Sequence, residues 1–207
     1  MIKNAKEIRA TAAVALKGKW ASAVLITLVL FAFTYVVGAI LEIIPRVNII
    51  AVIVTFILTF ILTSDFDKVA FLTLLRTGEQ IQIGCIFDIF KESRLWVTII
   101  LMYVYTFLWT MLFIIPGIIK RYAYAMTPFI LNDYPDLKNN EAIELSMAMM
   151  NGHKWDLFCL KLSFIGWAFL CIFFFGIGYL WLIPYRYTSY AVFYEDVKAE
   201  FMGRAIA

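Results

Sequence analysis

The sequence predicts an all-α integral membrane fold of about six transmembrane helices in three hairpins, each preceded by a cytoplasmic amphipathic segment. Three observations predict it. Of 207 residues, 63% are hydrophobic and only 16% charged, with a mean hydropathy of +0.85, whereas soluble domains run at roughly 45–50% apolar and about 25% charged. Four stretches carry no charged side chain and approach or exceed the ~20 residues of a span: Trp20–Leu41, Val47–Ser64, Leu95–Ile119 and Leu162–Tyr185. The same order of pieces also recurs along the chain, as internal repeats do. A chain this short cannot hide so much apolar surface around one core in water. Disorder, a secreted disulfide scaffold and an ordinary cytosolic enzyme are excluded.

The first nineteen residues hold Lys3, Lys6, Arg9, Lys17 and Lys19 against Glu7, a basic segment that should stay cytoplasmic beside anionic lipid. Asn4 followed by Glu7 has the form of a capping box and Gly18 is a suitable stop, so Ala5–Lys17 reads as a helix. Its Ile8, Ala12, Ala15 and Leu16 share a face that should lie on the cytoplasmic leaflet. The first hairpin then occupies 20–64. Its first run is long enough to span, unlike a signal peptide's short apolar core, and is expected to stay in the mature protein.

A cytoplasmic connection covers 65–94, with Lys68, Arg76, Lys91 and Arg94; Ile86–Glu92 is a weak amphipathic segment within it. The second hairpin, 95–132, needs Leu112–Asn132 as its return limb. Four or five spans result instead if Leu95–Leu131 is one long kinked helix. A cytoplasmic loop and amphipathic helix occupy 133–155. There Glu141 and Glu144 favour the N-terminus of Asn140–Met150, Ile143, Met147 and Met150 line one side, and Gly152 ends it. The third hairpin covers 156–196, with Gly178–Glu195 returning, and 197–207 is a cytoplasmic tail. Basic residues cluster on the side that holds both termini, while the opposite side shows chiefly Arg46. This puts a single polytopic domain in the plasma membrane with both termini inside.

The repeat consists of a basic-aromatic junction, a span and an aliphatic-proline element. The junctions are Gly18-Lys19-Trp20, Arg94-Leu95-Trp96 and Gly152-His153-Lys154-Trp155. The proline elements are Ile43-Ile44-Pro45, Ile114-Ile115-Pro116 and Leu182-Ile183-Pro184. The second and third units are the more alike, since Arg121-Tyr122-Ala123-Tyr124-Ala125 echoes Arg186-Tyr187-Thr188-Ser189-Tyr190-Ala191.

Lys120, Arg121 and Arg186 are the oddest residues, because six spans place them inside membrane segments. A Lys or Arg at the centre of a span costs about 2.5–3.5 kcal/mol on insertion scales, and the spans hold almost no carboxylate to offset it. Cations lacking a protein anion point to a ligand anion, a lipid phosphate or a carboxylate. Pro116-Gly117 and Pro184 should break their helices and leave N–H groups for the same anion. Tyr122 and Tyr187 adjoin the arginines, where a guanidinium over a ring gains roughly 0.5–2 kcal/mol and a phenol can donate to a headgroup. Snorkelling to the surface and an aromatic belt are the bland explanations of the same residues.

Enzymatic constellations are nearly absent. His153 is the one histidine, so neither a histidine metal site nor a catalytic triad is expected, and no cofactor is implied. Asp133 and Asp136 flank Pro135 in a segment that turn chemistry explains. Gly176-Ile177-Gly178 reads as a tight turn between spans rather than a phosphate loop. Cys85, Cys159 and Cys171 form no CxxC motif and read as small core residues. A net charge of +3 excludes nucleic acid as a partner.

The strings Leu16-Lys17-Gly18-Lys19-Trp20, Ile115-Pro116-Gly117-Ile118 with Arg121-Tyr122, Thr127-Pro128, Ala142-Ile143 with Ser146, and Met150 with Gly152-His153-Lys154-Trp155 carry a resemblance over nearly the whole chain. The sequence resembles a bacterial family of small polytopic membrane proteins known only as a domain of unknown function. From about Ile114 to Asp156 it is also similar to the membrane domain attached to some glycerophosphodiester phosphodiesterases. The resemblance implies a six-helix bacterial membrane protein and no activity, since those phosphodiesterases catalyse on a separate soluble domain. The expected function is non-enzymatic: binding or moving an anionic amphiphile such as a phospholipid, through Arg121, Arg186, Lys120, Tyr122 and Tyr187. The expected partners are membrane lipids. A scaffold role for a partner complex or homo-oligomer is the alternative, and an intramembrane enzyme a distant third.

Overall fold

The computed structural model describes residues 3–42, 65–77, 92–173 and 176–206, and among them every regular element is a helix. The second run of the first hairpin, Val47–Ser64, lies outside the described residues. So do the Pro45 element, Arg46, Cys85 and nearly all of the segment Ile86–Glu92.

Helix α1, Ala5–Ala15, forms as its cap dictates. The Asn4 side chain accepts from the Lys6 and Glu7 N–H groups, and the Glu7 carboxylate accepts from the Asn4 N–H, satisfying donors that a helix start leaves orphaned. Gly18, at φ +82°, turns the chain into α2, Trp20–Glu42. The sequence lays the apolar face of α1 on the cytoplasmic leaflet, but in the structure that face turns inward. Ile8, Ala12 and Leu16 are buried in the protein, where α1 packs along the last helix.

Helix α3, 65–77, runs through the core. Its Phe66, Phe71, Leu72 and Leu74 are almost inaccessible, which its place in a charged connection did not foretell. Helix α4, Ser93–Leu112, ends at Phe113, whose extended backbone (φ −155°, ψ 133°) reverses the chain into α5, Ile114–Ala123. The reversal is tight: a Cβ on Gly117 would lie 2.2 Å from Thr110 Oγ1, so only glycine fits there. The stretch from Leu95 is thus two helices folded back on each other, and the reading as one kinked helix is excluded.

Leu112–Asn132 is not one return span. Helix α5 stops at Ala123, a turn over Tyr124–Met126 follows, and α6 takes Thr127–Asp133. The Ser146 hydroxyl, from α7 (Asn139–Met149), bonds that turn twice. It donates to the Ala123 carbonyl at 2.8 Å and accepts from the Met126 N–H at 3.2 Å. The helix expected over Asn140–Met150 forms one residue earlier at each end, with Gly152 at φ +91° beyond it, and its Ile143 and Met150 are buried in the protein. The junctions at Gly18 and Gly152 are therefore alike in structure as well as in sequence.

Helix α8, Lys154–Leu162, breaks at Ser163 before α9, Ile165–Phe173. Gly176 (φ +79°) begins the expected tight turn, and a Cβ on Gly178 would meet Cys171 Sγ at 2.7 Å. Helix α10, Tyr179–Ile206, then passes through Pro184 without interruption. A proline near a helix start removes one donor, the bond that the Leu180 carbonyl would accept, and frees no N–H. Pro116 lies in the first turn of α5, about one and a half turns before Arg121. The expected pairing of broken-helix N–H groups with the arginines does not form.

The core centres on α10, with Tyr194 stacked on Phe129 at 4.9 Å and Tyr187 on Phe71 at 6.0 Å. Among the described residues, Ser93–Leu112 is long and apolar enough to cross a membrane by length and composition. A second candidate is the pair Ala5–Ala15 and Trp20–Ala32, bent by 100° at their junction.

Candidate functional site

A cavity of about 220 Å³ opens between α3, α4, α5, α8 and α10. Four basic side chains face it, Lys68, Arg121, Lys161 and Arg186, against the single lining carboxylate of Asp65. Two arginines from matching units of the sequence repeat thus reach one space, with Tyr124 and Tyr190 beside them. The placement follows from helix geometry: Arg121 and Tyr124, three apart on neighbouring turns, share a side, as do Arg186 and Tyr190, four apart.

The charges are unequally matched. Asp65 is buried and already committed, pairing with Lys68 and accepting a hydrogen bond from the Tyr103 hydroxyl at 2.8 Å. Asp67, half-buried on the same helix, lies within electrostatic reach of both Tyr187 and Arg186. The sequence offers Arg186 almost no carboxylate within the spans; α3 brings Asp67 close to it, which corrects that expectation. The compensation is partial, because Arg186 makes no ion pair with Asp67 and its Nε is buried without a hydrogen-bond partner among the described residues. Its guanidinium lies 4.9 Å from the centre of the Tyr187 ring, and one Nη donates to the Tyr187 hydroxyl at 3.4 Å. Neither Arg121 nor Lys161 forms an ion pair among the described residues.

The five residues singled out from sequence separate into three places. Arg121, Arg186 and Tyr187 line the cavity. Tyr122 borders an adjoining cleft, edge-on to Phe158 at 6.1 Å and with Lys161 Nζ 4.5 Å from its ring centre. Lys120 is not part of the cavity wall: its Nζ lies 5.0 Å from the Trp109 ring centre and donates to Met147 Sδ at 3.6 Å. Sequence reasoning missed Lys161, Lys68, Asp65 and Asp67. The one available signal was Asp65-Phe66-Asp67-Lys68 directly after an uncharged run, which reads as an ordinary span end.

A second charged cluster ties α3, α6 and α10 together. Asp133, its side chain 3% exposed, accepts from Arg76, Lys198 and the Tyr194 hydroxyl, while Arg76 Nε also reaches Glu195 at 2.6 Å. Burial pushes the Asp133 carboxyl up, but hydrogen bonds from Arg76, Lys198 and Tyr194 outweigh it and hold the group down at about 2. Turn chemistry does not account for this residue. His153 sits elsewhere again, with Nδ1 3.3 Å from Asp156 and Nε2 3.5 Å from Glu200, and no metal-binding group of His, Cys, Asp and Glu occurs among the described residues.

The model of a family described as "Protein of unknown function (DUF975)" matches residues 1–120 and 111–200. No curated protein matches the chain. No solved structure matches it.

Proposed function

The chain belongs to the DUF975 family, and we propose that it is a bacterial integral membrane protein that binds the anionic headgroup of a membrane lipid in the cavity between α3, α4, α5, α8 and α10. One observation carries the reading: Arg186 stands on the wall of a cavity with four cations and one committed carboxylate, its Nε buried and unpartnered. Leaving a buried charged donor unmet costs more than the roughly 1–3 kcal/mol of a neutral one. A phosphate in the cavity would stabilise the guanidinium charge from the side that lines it and offset Arg121 and Lys161 as well.

The outer surface supports the membrane part of the proposal. Met111, Phe113, Ile114 and Ile115 are 65–73% exposed around the α4–α5 reversal, and Val104, Phe107 and Leu108 continue the same apolar face. Water-soluble monomers rarely show so large a contiguous apolar patch. In this reading the chain passes the membrane six times in three hairpins, the return limb of the second broken into α5 and α6 rather than one helix, both termini face the cytoplasm, and the chain binds its ligand without transforming it. Arg186 precedes Glu195 by nine residues on one helix, about 13 Å along its axis. The cavity then lies one leaflet's depth from the charged cluster at Asp133. The same exposed face on α4 and α5 would serve a homo-oligomer or a membrane partner, which is the second reading.

The test is lipid retention by native mass spectrometry of the purified protein. Arg121→Ala and Arg186→Ala are expected to lose co-purifying anionic lipid while keeping their zwitterionic lipid. Unchanged anionic occupancy in both variants would remove the proposal.

A further inference from the structure

Beside the cationic cavity lies a cleft of about 280 Å³, built by α8, α9 and α10 with Tyr122 of α5 on its border, and the two spaces share Lys161, Arg186 and Tyr190. The far walls differ in kind. The cavity shows charged and phenolic groups, whereas the cleft adds Phe158, Leu162, Phe164, Ile165, Ala168 and Leu182. Leu162 and Ile165 are about half exposed on the outside of the molecule, so the cleft reaches the surface that the proposed function turns toward lipid. A basic wall with polar space on one side and apolar space on the other matches an amphiphile, with its phosphate at the cations and its chain leading away.

We propose that this cleft is the acyl-chain subsite for the same anionic lipid, so that the ligand is held at both ends rather than by its headgroup alone. The inference rests on the headgroup site proposed above. Continuity favours a chain as the occupant, because a chain attached to a phosphate between Arg186 and Lys161 emerges beside Phe158 and Ala168. The break between α8 and α9 creates the opening. Ser163 Oγ turns back to the Leu160 carbonyl at 2.7 Å, and Phe164, which follows, is buried against Tyr185 at 5.4 Å between ring centres. Leu162, Ile165 and Ala168, spaced three apart across the break, all line the cleft.

The experiment uses the full chain in phosphatidylcholine vesicles carrying a small fraction of phosphatidic acid with a photoactivatable diazirine in its acyl chain. Crosslinks are expected to concentrate on Leu162, Ile165 and Ala168, about fivefold above those on Val104 and Leu108, as a preference near 1 kcal/mol would give. Ala168→Phe, which fills the cleft, should remove that excess. Leu162→Gln, at an exposed position that folding tolerates, should reduce it should the bulkier variant not fold. The same diazirine on phosphatidylcholine should label evenly. Even labelling by phosphatidic acid would overturn the chain subsite alone if its retention still depends on Arg186. If retention is also indifferent to Arg186, the headgroup site falls with it.

Discussion

Arg121 and Arg186 stand at equivalent places in two similar stretches of sequence, each followed by a tyrosine, and both line one cavity. They were legible beforehand because a guanidinium inside an apolar run is expensive and therefore conspicuous. Their surroundings were not legible. Asp67 comes from a segment more than a hundred residues before Arg186, and Lys161 sits at the end of a helix where a lysine looks unremarkable. Asp67 and a ligand anion would compete for the same guanidinium, which gives a prediction of opposite signs. Asp67→Asn should raise anionic-lipid retention in native mass spectra, whereas Arg186→Ala lowers it. A fall in both would mean that Asp67 supports the cavity instead of competing for it.

At the level of elements, boundaries set by glycine and by caps were readable, as at Asn4, Gly18 and Gly152. Those set by tertiary contacts were not. The turn over Tyr124–Met126 interrupts an apolar run without glycine or proline inside it, because Ser146 on another helix supplies the hydrogen bonds that a continuing helix would have made. Ser146→Ala should cost about 1–3 kcal/mol in thermal unfolding in detergent, the penalty for stranding a buried donor and acceptor. Valine there should do no better, having no hydroxyl.

Three helices meet at Asp133, and its linkage to pH has a definite sign. The folded carboxyl titrates at about 2, below its ordinary 3.8, so the cluster's contribution is complete above the ordinary value. It is lost as pH falls through 2. Detergent-solubilised protein should therefore lose stability on acidification from pH 5 toward pH 2. Asp133→Asn should be less stable at pH 7 by about 1–3 kcal/mol, since Arg76 remains partly solvated, and should show a flatter acid limb. An acid limb as steep as the parent's would assign the transition to other carboxylates.

For the whole molecule, composition and uncharged runs were enough to anticipate helices throughout the described residues, but not how they nest. The central placing of α3 escaped the sequence because its charges read as a loop; yet Lys68 and Asp65 satisfy each other and Arg76 satisfies Asp133, so the helix can be buried. Likewise α1 looks like a surface helix until α10 is there to cover it. On the proposed topology, cysteines placed at positions 6 and 199 should react with membrane-impermeant thiol reagent only in inside-out vesicles. Labelling of either in intact cells would require the orientation to be redrawn.

An anion at the shared wall of cavity and cleft is what lipid binding by this protein requires. The most direct measurement is an experimental structure of the protein in a bilayer containing phosphatidic acid. It should show phosphate density in contact with Arg186 and Lys161 and within reach of Arg121, with Asp67 remaining apart from the Arg186 guanidinium. Lipid density confined to the outer apolar face, with the Arg186 guanidinium closed onto Asp67, would contradict it.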